Sequence, residues 1–381
     1  MTDTPARHRL PPEIANLADH ELHARQQLDD NAWAYFSGGA GDEITLRANR
    51  SAWDALPLWP RVLRPLAGGH TRVQLLGRTL AHPILLAPVA FQRLAHPDGE
   101  LAMAYAAAAL GAGVVLSTQA SVSLEAVAEA VHPDPGRGPL WFQLYLQHDR
   151  GFTQALVQRA EAAGYEALVL TVDAPTSGVR DRERRAGFRL PPGVGPVNLA
   201  GLPPSAPPDL RPGQSALFDG LLHQAPTWDD VAWLQSITRL PVLLKGVLHP
   251  ADARQAVAAG AAGLIVSNHG GRTLDTAPAT ATALPRVVQA VGAAVPVLVD
   301  GGIRRGTDVL KAMALGASAV LVGRPAVWGL ANAGATGVAH VLRLLRDELE
   351  VAMALTGCAT LADATPALLD AAEDPALRPD R

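Results

Sequence analysis

From residue 82 onward two hydrophobic patterns alternate along the chain. Short apolar runs without polar alternation lie at 83–87, 114–117, 140–145, 167–172, 241–245, 263–266, 296–299 and 319–322. Each is too brief for a globular helix and is bounded by loop residues, so each reads as a buried strand. Between them, stretches near 99–110, 123–131, 152–163, 228–238, 250–259, 280–291, 306–315 and 335–355 read as helices, amphipathic or alanine-rich. Continuous rather than alternating strands imply a parallel sheet covered on its outer face. Eight such units in about 270 residues match a closed (β/α)8 barrel, a TIM barrel of the α/β class. An open doubly wound sheet is the rival, but its G-x-G-x-x-G fingerprint is missing.

The remaining segments fit around that barrel as parts of a single domain, 1–381. Residues 1–81 form an N-terminal helical and irregular extension. Helical spacing runs through 13–50 and breaks at Ser37-Gly38-Gly39-Ala40-Gly41, and Pro57, Pro60 and Pro65 mark an irregular lead-in with short strands. Phe36 reads as a packing residue. The barrel occupies 82–357 and a tail 358–381. One connection is out of scale: 174–227, proline-rich in its middle, leaves the fourth barrel strand at its carboxyl end, where such barrels keep their active sites, and reads as a lid.

Bulk properties narrow the function. Hydrophobic residues make up 48% of the 381, enough for a large core. A net charge of -4 gives no footprint for nucleic acid. One cysteine, Cys358, excludes an intramolecular disulfide and a cysteine metal cluster, and no metal is expected. No apolar stretch is long enough to span a bilayer and the amino terminus carries no secretory pattern, so a cytoplasmic protein without membrane attachment is expected.

Polar residues gather where the strands end: Pro88-Val89-Ala90, Ser117, Gln143 to Tyr145, Thr171 to Asp173, Lys245, Ser267 to Arg272, Asp300 to Gly302 and Gly323-Arg324. A barrel built for stability alone has no reason to concentrate them on one rim. Asp300-Gly-Gly-Ile-Arg304-Arg-Gly306 and Gly323-Arg324 follow the last two strands, which commonly hold a phosphate. No P-loop lysine is present, so that phosphate reads as part of a bound cofactor rather than ATP. Lys245 ends a buried strand and needs an anionic or electron-rich partner. It could form a Schiff base, or set positive charge against a cofactor that becomes anionic on reduction. Ser117, Gln143 and Thr171 suit the edge of a heterocycle. Asp173 and His269 read as an oriented base. Arg180 and Arg272, with Tyr35 and Tyr145, could clamp a small carboxylate and its hydroxyl.

These landmarks, in this order from about residue 31 to 357, resemble the FMN-dependent α-hydroxy-acid oxidases and dehydrogenases: glycolate oxidase, lactate oxidase, mandelate dehydrogenase and the flavin domain of flavocytochrome b2. The resemblance implies FMN as cofactor and oxidation of a small L-2-hydroxy acid to the 2-oxo acid, with O2 as acceptor giving H2O2. By the same resemblance His269 is the base, supported by Asp173, while Tyr35, Arg180 and Arg272 hold the carboxylate and Tyr145 the hydroxyl. Lys245 would stabilise the N1 side of the flavin. Pro88, Val89, Ala90, Ser117, Gln143, Thr171 and Ser267 would line or bond it, and Asp300, Gly302, Arg304, Gly323 and Arg324 would hold the ribityl phosphate. A homotetramer is implied as well. Gln119 and Val89 depart from the glycolate-oxidase pattern, which has a bulky aromatic and a threonine there, and this leaves substrate size open. Ala90 resembles the oxidases. No haem domain is expected before the barrel and no membrane insertion in the long loop, and the last residues do not read as a peroxisomal address. A dehydrogenase with another acceptor, a lactate 2-monooxygenase and an FMN-barrel isomerase are the alternatives; a Schiff-base aldolase using Lys245 would be colourless.

Overall fold

A computed structural model describes residues 10–205 and 210–370; expectations for the extreme termini lie outside the described residues. Its core is a closed parallel barrel of eight strands, β3 (Ile84–Leu86), β4 (Gly113–Leu116), β5 (Leu140–Leu144), β6 (Ala167–Thr171), β7 (Val242–Lys245), β8 (Gly263–Val266), β9 (Val297–Val299) and β10 (Ala319–Val322), each beside its sequence neighbour, with β10 closing on β3. All eight predicted runs are strands. Their continuous apolarity has a direct cause. Leu85, Val115, Trp141, Val169, Leu243, Ile265, Leu298 and Leu321 point into the barrel, while alternate residues such as Leu86, Leu116, Phe142, Leu170 and Leu244 pack outward against the helices. Both faces of every strand are therefore dry.

The helices between strands are α4 (Gly99–Leu110), α5 (Leu124–Val131), α6 (Arg150–Ala162), α8 (Trp228–Ser236), α9 (Pro250–Ala258), α10 (Thr280–Val291), α11 (Gly306–Ala314) and α12 (Arg324–Thr356). The last differs from expectation. Helical structure begins at Arg324, directly after β10, and is interrupted at Ala333 and Gly334, whose φ angles are -156° and 56°. The sequence pattern hides its first part because 325–334 are buried on every side, so no polar face marks a period.

The extension closes both ends. A hairpin of β1 (Val73–Leu75) and β2 (Arg78–Leu80) puts Leu75 and Leu80 into the barrel interior at its amino end, and Arg78 and Arg137 both bond Glu166 just before β6. Helices α1 (Leu17–Gln27), α2 (Asp30–Ser37) and α3 (Ile44–Asp54) serve the other side. Asn16 and Asp19 start α1 with reciprocal capping bonds, and Asp29 caps α2. Buried His20 of α1 bonds His340 at 2.9 Å and receives Asn332 at 3.1 Å, and burial holds its pKa down to about 4. Among its described residues the connection 174–227 carries one short α-helix, α7 (Asp181–Ala186), which lies beside α2, along with a few single-turn 3-10 and π segments.

Candidate active site

The carboxyl ends of the strands open into one cavity of about 1680 Å³, bounded by all three extension helices, the strand ends and the long loop. Its floor is a chain of neutral groups. Ser117 Oγ and the Thr118 N–H donate to Gln143 Oε1 at 3.3 and 3.1 Å, and Gln143 Nε2 donates to Thr171 Oγ1 at 3.0 Å. The Pro88-Val89-Ala90 turn forms the neighbouring wall. Buried Glu100, missed in the sequence, fixes this side by accepting from the N–H groups of Gln92 and Ser121 and from the Ser121 hydroxyl.

Lys245 is 4% exposed and lies beside Thr171 in the β6–β7 register. Its ammonium donates to Ser267 Oγ at 3.0 Å and pairs with Asp300 Oδ2 at 3.1 Å. Burial opposes its charge, but Asp300 and Asp173 outweigh that and raise its pKa. Asp300 thus divides its carboxylate: Oδ2 meets Lys245, and Oδ1 is buried without a hydrogen-bond partner.

His269 follows β8 in the left-handed region, φ 57°, as do Gly270 and Gly271. A left-handed histidine is strained and is held by its surroundings. Its N–H donates to Ser267 Oγ at 3.1 Å, Nδ1 bonds Asp173 Oδ1 at 2.9 Å, and Nε2 lies 3.4 Å from the Tyr145 hydroxyl. Asp173 accepts at Oδ1, so Nδ1 carries the proton and Nε2 is the free basic nitrogen. Burial lowers the imidazole pKa, Asp173 counters it, and the net position is below 6.5. Burial disfavours ionised Asp173, yet the bond and charge of His269 and the charge of Lys245 hold its pKa below the usual carboxylate range. Tyr145 is pushed up to about 12, chiefly by burial. Gly246, φ 106°, makes the pairing possible, since a Cβ there would stand 2.4 Å from Asp173 Cβ.

Arg272 and Arg180 converge from the β8 loop and the long connection. Arg272 Nη1 donates to the carbonyls of Tyr35 and Gly38, and its guanidinium lies 5.0 Å over the Tyr35 ring. Phe188 stacks on that ring at 4.8 Å. α2 therefore delivers Tyr35 into the site, and Phe36, 3% exposed, packs as expected.

Past the ends of β9 and β10 lie Gly302, Arg304, Gly323 and Arg324. Gly302 must be glycine, because a Cβ would stand 2.1 Å from the Asn49 carbonyl of α3. Asp308, buried at the start of α11, accepts from the N–H groups of Arg304 and Arg305 at 2.9 Å and from Arg50 of α3. Trp53 donates to the Gly301 carbonyl, and Asn49 exchanges amide bonds with Asn268. None of these supports stood out in the sequence, because only the docking of α3 assembles them. Arg324 is here as expected, but it also locks loops together: Nε donates to Phe36 O, Nη1 to Gly270 O and Nη2 to Gly38 O, leaving an N–H on each terminal nitrogen. Burial, then Arg272 and Arg304, lower its pKa to about 9, so this end favours an anion.

Anion-binding loops after the last two strands, with a polar floor and an oriented base on the same rim, define a barrel enzyme built around a phosphorylated cofactor. Comparison with known proteins says which kind. Residues 24–371 match the FMN-dependent dehydrogenase family, and the chain belongs to it, with FMN as its cofactor. Relatives include the L-lactate oxidase of Alicycliphilus denitrificans, 52% identical over 357 residues, 94% of this chain and 96% of that one. Glycolate oxidase 1 of Zea mays is 47% identical, covering 93% and 95%. A crystal structure of mandelate oxidase with (S)-2-phenylpropionate superposes with a TM-score of 0.82 at 46% identity, over 92% and 96% of the two chains. The residues present fit FMN. Arginines without carboxylate partners face the phosphate end, the orphan Asp300 Oδ1 suits a hydroxyl donor, and amide and hydroxyl groups line the far end.

Proposed function

We propose that this protein oxidises a small L-2-hydroxy acid, L-lactate foremost, to the 2-oxo acid and passes the electrons to O2, releasing H2O2. The observation that carries this reading is the basic Nε2 of His269, set between Asp173 and Tyr145 and sharing one cavity with Arg180 and Arg272. The curated relatives named L-lactate oxidase, at 52% and 55% identity, support lactate over other acids. Gln119 and Val89 line the cavity where the substrate's side chain is expected.

In this reading Arg180, Arg272 and Tyr35 fix the carboxylate and Tyr145 the hydroxyl, so the substrate presents its carbinol group to His269. His269 takes one proton, and Asp173 stabilises the imidazolium that forms. FMN, held by Lys245, Ser117, Gln143, Thr171, Ser267 and the Pro88–Ala90 turn, with Asp300, Gly302, Arg304, Gly323 and Arg324 toward its phosphate, supplies the two-electron acceptor. The raised pKa of Lys245 keeps a fixed positive charge beside it. Over a full cycle the hydroxy acid loses two electrons and two protons, and O2 gains both.

A cytoplasmic homotetramer accompanies this reading. Among the described residues no helix is long and apolar enough to cross a membrane. Trp59, Val62 and Leu63 are exposed where Arg61 bonds the end of α12 near exposed Leu355, an apolar patch suited to a subunit contact. Light scattering after gel filtration tests the assembly.

The activity is tested by visible spectroscopy of the yellow holoprotein without oxygen. L-lactate is expected to bleach it faster than glycolate or L-mandelate, and air to restore the colour within seconds with H2O2. Slow recovery would mean an acceptor other than O2, and no bleaching by any 2-hydroxy acid would overturn the reading.

A further inference from the structure

The two arginines assigned to the substrate carboxylate already share a carboxylate from the chain itself. Oε1 of Glu183, on α7, accepts from Arg180 Nη1 at 3.3 Å and from Arg272 Nη2 at 3.0 Å. The three side chains are 15%, 22% and 14% exposed, so the cluster is shielded and its charges act at low effective dielectric. Of the neighbouring cations, Lys245 is matched by Asp300 and Arg182 by Glu43, while Arg324, which shares the Gly38 carbonyl with Arg272, is the one the FMN phosphate balances in the proposed reading. Two guanidinium charges and one carboxylate leave the clamp with a single net positive charge, which one substrate carboxylate balances.

The loop has anchors besides Glu183. Arg182 bonds Ser37 and Glu43, Asn31 exchanges two bonds with Arg189, and the Gly41 N–H donates to Val179 O. Glu183 also stands at a boundary of the cavity. Arg180, Glu183 and Phe188 line both the main cavity and a groove of about 500 Å³ outside it, which Arg184 and Arg189 also line.

We propose that Glu183 is a specificity-determining residue that trims the Arg180/Arg272 clamp to one net charge and so restricts the enzyme to 2-hydroxy monocarboxylates, rejecting 2-hydroxy dicarboxylates. The proposal rests on the reading of Arg180 and Arg272 as the carboxylate clamp. A second substrate carboxylate ~6 Å from Glu183, at an effective dielectric of about 20, meets a repulsion worth more than tenfold in affinity.

Glu183→Gln keeps the acceptor oxygen and removes the charge, and Glu183→Asp keeps the charge. Calorimetry on the FMN-loaded protein compares oxalate, a dianion, with oxamate, its monoanionic amide of nearly the same shape. The ratio of their affinities is expected to shift toward oxalate by about tenfold in Glu183→Gln and to stay within about threefold of the parent in Glu183→Asp. Flavin bleaching by L-malate relative to L-lactate should rise in parallel, through KM more than kcat. Unchanged ratios in Glu183→Gln, with Arg272→Met still abolishing oxamate binding, would overturn the proposal and leave the clamp standing. Unaltered oxamate binding in Arg272→Met would remove the clamp, and the proposal with it.

Discussion

At the scale of single residues the site works through opposed effects on one imidazole. Burial alone would make His269 a weak base, and the 2.9 Å bond to Asp173 restores part of its affinity for a proton. The folded pKa remains below 6.5, and in the proposed role of base His269 must be neutral to act. kcat/KM for L-lactate is therefore expected to be flat above pH 6.5 and to fall only as pH drops through that lower value. Asp173→Asn removes the raising partner, so the acid limb should move further down while the plateau falls by about 100-fold. A limb that stays put or moves up would separate Asp173 from the base. Most residues proposed to bear the chemistry were legible in the sequence because they stand at strand ends within short distinctive runs, such as Ser267-Asn-His269-Gly-Gly-Arg272; Tyr35 and Arg180, off the strand ends, were legible chiefly through the family resemblance. Glu183 was not. In sequence it is one charge among several in a polar helix, and only the fold puts its oxygen between two arginines.

At the scale of elements, α3 is the structural partner of the phosphate-end loop. Arg50 reaches Asp54 on its own helix and the Gly302 carbonyl and Asp308 on the barrel, and although burial opposes its charge these carboxylates raise its pKa. Asp308→Ala strands Arg50 and the N–H groups of Arg304 and Arg305. It is expected to cost about 3 kcal/mol in urea unfolding of the apoprotein and to weaken FMN binding. Wild-type FMN affinity in that variant, measured by fluorescence titration, would detach this network from the cofactor loop. Strands and most helices were readable because their periods are local. The first part of α12 was not, since a segment buried all round carries no period.

At the scale of the whole molecule, the cavity is a joint product of the barrel rim, the extension and the long connection, and buried arginines repel one another across it. In the proposed placement a bound FMN phosphate would relieve that repulsion, so FMN should stabilise the whole fold. A concentration 100 times its Kd adds about 2.7 kcal/mol, a Tm rise of roughly 3–5 °C for a chain this long. Arg304→Ala should lose much of that rise, and an undiminished one would place the phosphate elsewhere. The sequence by itself determined the eightfold strand–helix alternation, the rim that bears the chemistry and the family, because hydrophobic period and short motifs are properties of neighbouring residues. Tertiary structure alone decided that Asp300 pairs with Lys245, that Arg324 ties loops together, that α3 supports the phosphate end and that Glu183 shares the arginine clamp. Those contacts join residues far apart in the chain, and their energies depend on distance and burial, which exist only once the barrel has closed.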